Sequence, residues 1–211
     1  MKYRHGIWTP LEDAILEYQG YQKGHSYIIT YSGKKIDFRS IDTRQIDITD
    51  IAHGLSNECR YAGQTPHFYS VAEHSVLVSL WAQEKYDDPE ITKVALLHDA
   101  AEAYIGDVTT PLKRLCPAFE MIEQRMGVNI VTRFGLKMWI DEHQIKIADR
   151  RIFELESFKF WEKHLNEFFP SGLPEPIQDW EREKIKIRCL EPQDAEELFL
   201  RRAGELGLIA A

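Results

Sequence analysis

The chain has 211 residues, of which 44% are hydrophobic, and its formal net charge at pH 7 is −8. This length supports one sizeable hydrophobic core, and no apolar run approaches the ~18 residues of a membrane span. Because proteins that bind extended DNA or RNA usually present a basic surface, the acidic balance argues against such a partner.

The cysteines and the amino terminus favour a reduced, cytoplasmic protein. Cys59, Cys116 and Cys189 are odd in number and widely spaced, which argues against a disulfide framework or a zinc knuckle. The first residues, MKYRHGIWTPLEDAILEY, lack the apolar core of a signal peptide. We therefore expect a cytoplasmic location and no membrane partner.

Residues 1–49 are predicted to form a small cover on the main body, made of one helix and one hairpin. Thr9, Pro10 and Gly20 are typical start and stop residues for a helix near residues 8–22. The following segment, SYIITYSGKKIDF, predicts two short strands joined by a turn at its Ser-Gly pair.

Residues 50–211 are predicted to form one compact helical unit. Apolar residues at helical spacing, separated by breaks rich in Gly and Pro, predict helices near residues 50–60, 70–85, 91–105, 117–134, 142–165 and 193–205. The four prolines of residues 166–192 predict a long loop. The expected fold class is therefore all-α, a helical bundle with a small N-terminal β-hairpin.

Three of the predicted helices carry ionisable side chains on apolar faces. His74 shares a face with Leu77, Val78 and Trp81, and Asp149 lies on the face of Ile145, Ile152 and Phe153. Between them in sequence, one helical sector carries His98, Asp99 and Glu102. Burial of such groups is costly unless a partner neutralises them, and a bound cation would do so.

The chemistry of these side chains indicates which cation would bind. Two imidazoles and two carboxylates, from His74, His98, Asp99 and Asp149, suit Mn²⁺, Fe²⁺, Co²⁺, Ni²⁺ or Zn²⁺. A site made only of oxygen ligands would favour Mg²⁺ or Ca²⁺ instead. We therefore expect a divalent transition metal as cofactor.

Purely structural roles remain open for each of these residues. His74 alone is compatible with a hydrogen-bonded core histidine, and Asp149 with a salt bridge to Arg60 or Arg151. Arg60 precedes these helices in sequence, and a salt bridge to Asp149 or Glu58 would give it a purely structural role as well. Glu102 is compatible with an acceptor that holds His98, and Asp107 with a helix N-cap.

The order of these groups resembles the signature of the HD-domain metal-dependent phosphohydrolases. The segments SVAEHS, HDAAEAYIGDVTTPLK and KIADRR are similar to those of bacterial 5′-deoxynucleotidases and of their phage relatives that dephosphorylate dNTPs. The segment IDITDIAHGLSNECRYAGQTPHFYSVAEHS resembles the phage-type branch most. The resemblance covers about residues 27–160 and, more weakly, the tail segment LEPQDAEELFLRR.

The resemblance implies roles for individual residues at the centre of the site. Glu102 would be the catalytic carboxylate outside the metal shell, and Asp107 would lie beside the phosphate and the attacking water. The ligands of the metal would be His74, His98, Asp99 and Asp149.

The resemblance also implies contacts with the substrate. Arg60 matches an arginine that contacts the substrate, and Lys113 is a candidate for binding its phosphate. The 5′-deoxynucleotidases often have Arg-Trp where this chain has Arg60-Tyr61, so base and sugar selection are expected to differ.

The activity implied by the resemblance is the hydrolytic removal of phosphate from a small nucleotide. The resemblance also suggests that the protein is a homo-oligomer. The favoured activity is that of a 5′-deoxynucleotidase acting on deoxynucleoside phosphates. The alternative is a phage-type dNTP triphosphohydrolase or dATPase, for which extra cations are available at Arg60, Lys113, Arg114, Arg150 and Arg151. A nucleotide-binding regulatory HD protein would have lost metal ligands or Glu102, and all of these are present.

Overall fold

The computed structural model describes residues 26–137, 142–173 and 175–209, so the helix expected near residues 8–22 lies outside the described residues. Strands β1 (Tyr27–Ile29) and β2 (Lys35–Asp37) pair antiparallel, with Ile28 opposite Ile36. Gly33 adopts a φ of +81° in the connecting turn, a conformation that favours glycine. The predicted hairpin and its Ser-Gly turn are confirmed.

Helices make up most of the remaining described chain. They are α1 (Ile48–Asn57), α2 (Val71–Tyr86), α3 (Pro89–Leu97), α4 (Glu102–Ile105), α5 (Thr110–Lys113), α6 (Pro117–Arg133), α7 (Glu142–Trp161), α8 (Leu165–Phe168), α9 (Asp179–Lys184) and α10 (Pro192–Glu205). Short 3₁₀ turns lie at Thr43–Gln45, Arg60–Gly63 and Glu162–His164. The predicted all-α class with a small hairpin is confirmed.

The prediction of a single helix over residues 91–105 is wrong, because the chain forms two helices there. Residues 98–101 are a turn between α3 and α4. In this turn the amide of Ala100 donates to the carbonyl of Leu97, and the amide of Glu102 donates to that of Asp99. Hydrogen bonds spanning three residues tighten the chain relative to an α-helix, which changes the direction in which His98 and Asp99 project.

The long loop expected over residues 166–192 is partly helical, because buried ionic groups of α7 and α9 fix it. Arg151 of α7 donates to both carboxylate oxygens of Glu181, at 2.7 and 2.6 Å, and to the carbonyls of Glu175 and Pro176. Trp81 of α2 donates to the same Glu181 carboxylate at 2.8 Å. These bonds hold α9 against the body of the protein.

Helix α2 is the central element of the bundle. Every residue from Val71 to Ser79 is buried, and so are Trp81 and Ala82. The helix contributes to two apolar clusters, one built with Ile36 and Phe199 and the other with Ile152 and neighbours on α3 and α7. A helical segment that is buried on nearly all sides needs no polar face, so the inward face expected around His74 extends around the helix from Val71 to Ala82, whereas residues 83–85 are exposed.

Helices α1 and α4 approach each other unusually closely. A Cβ atom added at Gly54 of α1 would lie 2.7 Å from the carbonyl oxygen and 2.8 Å from the Cβ of Ala103 on α4. This contact fixes the position of α4, which begins at Glu102. Among the residues described, no helix is both long enough and apolar enough to cross a membrane.

Candidate active site

Ring nitrogens and carboxylate oxygens from α2, from the turn after α3 and from α7 converge on one point. The Nε2 atom of His74 lies 3.3 Å from His98 Nε2 and 3.2 Å from Asp149 Oδ1. The Nε2 atom of His98 lies 3.1 Å from Asp99 Oδ2. Donor atoms held at 2.0–2.2 Å from a tetrahedral ion are about 3.4 Å apart, so this spacing fits a divalent metal ion.

Three of the four predicted ligands form the tightest group. Donor atoms of His74, His98 and Asp99 all lie within 4.8 Å of one another, a set that could hold a metal ion. Asp149 faces both imidazoles, with Oδ1 3.2 Å from His74 Nε2 and 3.8 Å from His98 Nε2. Its side chain is 43% exposed, so Asp149 lies on the more open side of the group.

The Nδ1 atom of each imidazole ring is hydrogen-bonded, and this bond orients the Nε2 atom of the same ring. His98 Nδ1 donates to the carbonyl of Ala95 at 2.8 Å, and His74 Nδ1 donates to the Glu156 carboxylate at 2.6 Å. In the neutral form of each ring, Nε2 therefore carries the lone pair and faces the centre. Histidine ligands of metal ions commonly have this second hydrogen bond.

Glu102 lies beside this group and has a buried, unpartnered oxygen. Its side chain is 6% exposed, and none of the described residues donates a hydrogen bond to Oε2, while Oε1 lies 3.8 Å from Lys113 Nζ. Burial and the nearby carboxylates of Asp99 and Asp107 raise the pKa of Glu102 to about 10. Lys113 itself donates to Glu123 at 2.5 Å.

Asp107 follows α4 and is held close to the site by a residue at the end of α1. Its backbone amide donates to Glu58 Oε1 at 3.0 Å. Thr109 is the residue that precedes α5, so the N-cap alternative for Asp107 is wrong. Burial raises the pKa of the Asp107 carboxyl, although the positive charge of Arg60 opposes this.

A cavity of about 420 Å³ opens onto the group. Its polar lining includes His98, Asp99, Glu102, Lys113 and Asp149. Apolar residues from α3, α6 and their neighbours form much of the remaining wall, namely Val94, Leu97, Val128, Val131, Leu136 and Ile145. The volume lies in the range of small-molecule sites, about 300–1,000 Å³.

Comparison with known proteins decides the family. A model of the HD domain matches residues 57–135. The protein YfdR of Escherichia coli K12 is 40% identical over 143 residues, which cover 64% of this chain and 77% of YfdR. The chain belongs to the HD-domain family of metal-dependent phosphohydrolases. An uncharacterized protein of Rhodobacter capsulatus is also similar, with 36% identity over 157 residues that cover 69% of this chain and 79% of that protein.

Glu156 is a residue of this HD domain that the sequence patterns did not single out. It is fully buried behind His74, and its carboxylate also accepts hydrogen bonds from the hydroxyls of Tyr69, at 2.6 Å, and Tyr61. Burial opposes its ionisation, but Arg60 and His74 outweigh this effect and lower its pKa to about 2. Its position two helical turns after Asp149 on α7 was the available signal.

Arg60 contacts two carboxylates of the HD-domain site. Its Nη1 lies 3.4 Å from Asp99 Oδ2 and its Nη2 lies 3.4 Å from Glu156 Oε2. The alternative salt bridges of Arg60 to Asp149 or Glu58 do not form among the described contacts. The role of Arg60 in substrate binding stays a prediction. Arg151 likewise pairs with Glu181 and Glu154.

The turn that begins at Arg60 has an unusual backbone. Tyr61 and Ala62 have φ values of 58° and 51°, and Gly63 follows with a φ of 72°. A left-handed conformation costs about 1–2 kcal/mol for a residue with a Cβ atom. The hydrogen bond from Tyr61 to Glu156 and the edge contact of its ring with Trp161, at 4.9 Å between centroids, offset that cost.

The imidazoles and carboxylates of the HD-domain site balance one another electrostatically. Burial opposes the charge on His98, but Asp99 and Asp149 outweigh it and raise the His98 pKa well above its usual value. Burial likewise opposes ionisation of Asp99, while His98 lowers its pKa to about 2. Because metal ions bind neutral imidazole, a divalent cation would displace the protons held here.

Proposed function

We propose that this HD-domain protein removes phosphate from deoxynucleoside 5′-monophosphates. The observation that supports this most directly is the position of Glu102. Its buried Oε2 has no hydrogen-bond partner in the described part of the chain, and the residue lines the same cavity as His98, Asp99 and Asp149. A buried carboxylate oxygen without a partner is costly, and a water molecule activated for hydrolysis would satisfy it.

The metal site is assigned to His74, His98, Asp99 and Asp149. Their two imidazoles and two carboxylates would hold Mn²⁺, Fe²⁺, Co²⁺, Ni²⁺ or Zn²⁺. Such a cation, when bound, polarises a phosphoryl oxygen and lowers the pKa of water. Glu156 and the Ala95 carbonyl keep the two rings oriented for this role.

Glu102 would orient the attacking water and accept its proton through Oε2. Burial, and after it the negative charges of Asp99 and Asp107, keep Glu102 protonated in the absence of a cation. A bound cation that neutralises the two carboxylates would favour the ionised form of Glu102. Asp107, held by Glu58, is a second carboxylate within the same electrostatic environment.

The cavity favours a monophosphate over a triphosphate. Lys113 is already paired with Glu123, and much of the described wall is apolar, which suits a single phosphate better than a chain of phosphates. The second candidate is a dNTP triphosphohydrolase, which the presence of Lys137 and Lys146 in the lining favours. The two activities differ in their products.

The test is an assay of metal-free protein with one metal restored at a time. Chelator-treated protein is incubated with dNMPs and with dNTPs in the presence of Mn²⁺, Co²⁺ or Zn²⁺, and the release of phosphate, pyrophosphate and triphosphate is measured. We expect metal-dependent phosphate release from monophosphates. Triphosphate release would support the second candidate, and no release from any nucleotide would overturn both.

Two variants separate metal binding from chemistry. His98→Ala removes a ligand and is expected to abolish metal binding, measured by calorimetry. Glu102→Gln keeps the ligand set, and we expect it to bind metal while losing about 10²–10⁴-fold in kcat, the usual contribution of a general base. Full turnover by Glu102→Gln would exclude this residue from the proton transfer.

A further inference from the structure

We propose that the apolar wall of the cavity is the subsite for the leaving group of the substrate, and that Gly127 sets its size. This inference rests on the proposed function, since it names where the nucleoside part of a phosphate ester binds. The polar lining and the apolar wall belong to one cavity of about 420 Å³. A ligand whose phosphate lies at the polar residues therefore reaches the apolar ones.

The apolar wall comes from two directions. Val94 and Leu97 belong to α3, whereas Val128 and Val131 belong to α6. Aliphatic side chains on two elements suit a flat, uncharged ring better than a second charged group, because burying an unpaired charge is costly. Gln124 adds a neutral amide to the lining, which can hydrogen-bond to the edge of a heterocyclic base.

Gly127 is the feature that makes room for such a ring. It lies inside α6, where glycine is unfavourable for helix stability. It lines the cavity, and a Cβ atom added there would meet no atom of the described residues within 4 Å. Within the part of the chain that the structure describes, no helix packs closely against this glycine. Packing among these residues therefore does not require a glycine here, and its effect is to leave the cavity wide.

Gly204 provides a matched control within the described chain. It also lies inside a helix, α10, and of the described atoms a Cβ atom there would meet only the tip of Ile209, at 3.9 Å. Gly204 does not line the cavity. The same substitution at both glycines therefore separates filling of the cavity from any general effect of a leucine in a helix.

The first experiment compares Gly127→Leu, Gly127→Ala and Gly204→Leu with the unmodified protein on two kinds of ester. We expect Gly127→Leu to lower kcat/KM for the four dNMPs by about tenfold or more and to change that for glycerol 2-phosphate less than about twofold. Gly127→Ala should have a smaller effect in the same direction. Equal losses on both esters, or no loss on dNMPs, would overturn the proposal.

The second experiment does not depend on catalysis, so it distinguishes failure of the subsite from failure of the proposed function. Binding of the four deoxynucleosides to metal-free protein is measured by calorimetry or ligand-observed NMR. The unmodified protein and Gly204→Leu should bind at least one of them, and Gly127→Leu about tenfold more weakly. Equal binding by all three proteins, or none by the unmodified protein at millimolar concentrations, would overturn the subsite even if phosphate is released from nucleotides.

Discussion

His74 and Glu156 form a buried pair behind the convergent donor atoms, with His74 Nδ1 2.6 Å from Glu156 Oε1. Neither side chain is exposed to solvent. The opposite ring nitrogen of His74 lies 3.2 Å from Asp149. One carboxylate thus fixes the ring so that its other nitrogen faces a second carboxylate.

Replacing Glu156 by glutamine is expected to weaken metal binding. The amide keeps the shape of the side chain but loses the negative charge that orients and polarises His74, and such partners typically contribute about 10–100-fold in metal affinity. Calorimetric titration with Zn²⁺ or Mn²⁺ measures the change. Tyr61→Phe removes a different contact of Glu156 and serves as control, and equal affinities of Glu156→Gln and the control would contradict the prediction.

Glu102 is expected to make the metal-free protein less stable as the pH rises. Its folded-state pKa of about 10 lies above its unfolded value, so between about pH 4.3 and 10 the folded state holds a proton that the unfolded chain has released. The free energy of unfolding therefore falls with increasing pH in this window. Urea denaturation in the presence of chelator measures the free energy of unfolding of both proteins from pH 5 to 9. Relative to the unmodified protein, Glu102→Gln should become more stable as the pH rises. A difference in free energy that stays constant over this range would refute the prediction.

Gly54→Ala is expected to destabilise the fold and to displace Glu102. The new methyl group would lie within 3 Å of backbone and side-chain atoms of Ala103, and overpacking of this kind costs about 1–3 kcal/mol. Gly127→Ala meets no neighbour and should instead stabilise its helix by about 0.5–1 kcal/mol. Thermal unfolding of both variants checks the contrast, and a Tm of Gly54→Ala at or above that of the unmodified protein would contradict it.

Glu73→Ala is expected to release the segment before α10. The buried Glu73 carboxylate accepts the backbone amides of Arg188, Cys189 and Leu190, at 2.5, 3.2 and 2.8 Å. Leaving these donors unpaired should lower the free energy of unfolding by on the order of 3 kcal/mol. Cys189, whose φ is 58°, should then react faster with a thiol reagent, and unchanged reactivity of Cys189 would argue against this role.

The hairpin and the main helices could be predicted from the sequence because their turn residues and apolar spacing agree with the side chains that are buried in the structure. The alternation around Gly33 predicted the hairpin, and the apolar spacing on either side of His74 predicted α2. The convergence of His74, His98 and Asp149 also followed from the sequence, since polar groups on apolar helix faces must meet a partner inside. The proximity of Glu102 to that group was predicted from the same helix spacing.

Other features depend on tertiary contacts that no local pattern encodes. The break after α3 arises from short backbone bonds around His98 and Asp99, in a stretch rich in alanine that favours helix. Ser70 and Glu73 have the spacing of a capping box, but only half of such a box forms. Ser70 accepts from the Glu73 amide, whereas the Glu73 carboxylate binds a distant segment. The role of Glu156 depends on partners that lie far away in sequence, namely Tyr61, Tyr69 and His74.

The burial of α2 on every side has a consequence for how this chain can evolve. A helix on a protein surface tolerates substitutions with a period of 3.6 residues, because one face is free to vary. From Val71 to Ala82 nearly every side chain is enclosed, and small residues such as Ala72, Ser75 and Ser79 alternate with large ones. A saturation-mutagenesis profile of this helix should therefore show one continuous intolerant block without helical periodicity, so that drift in the sequence is confined to the elements around it.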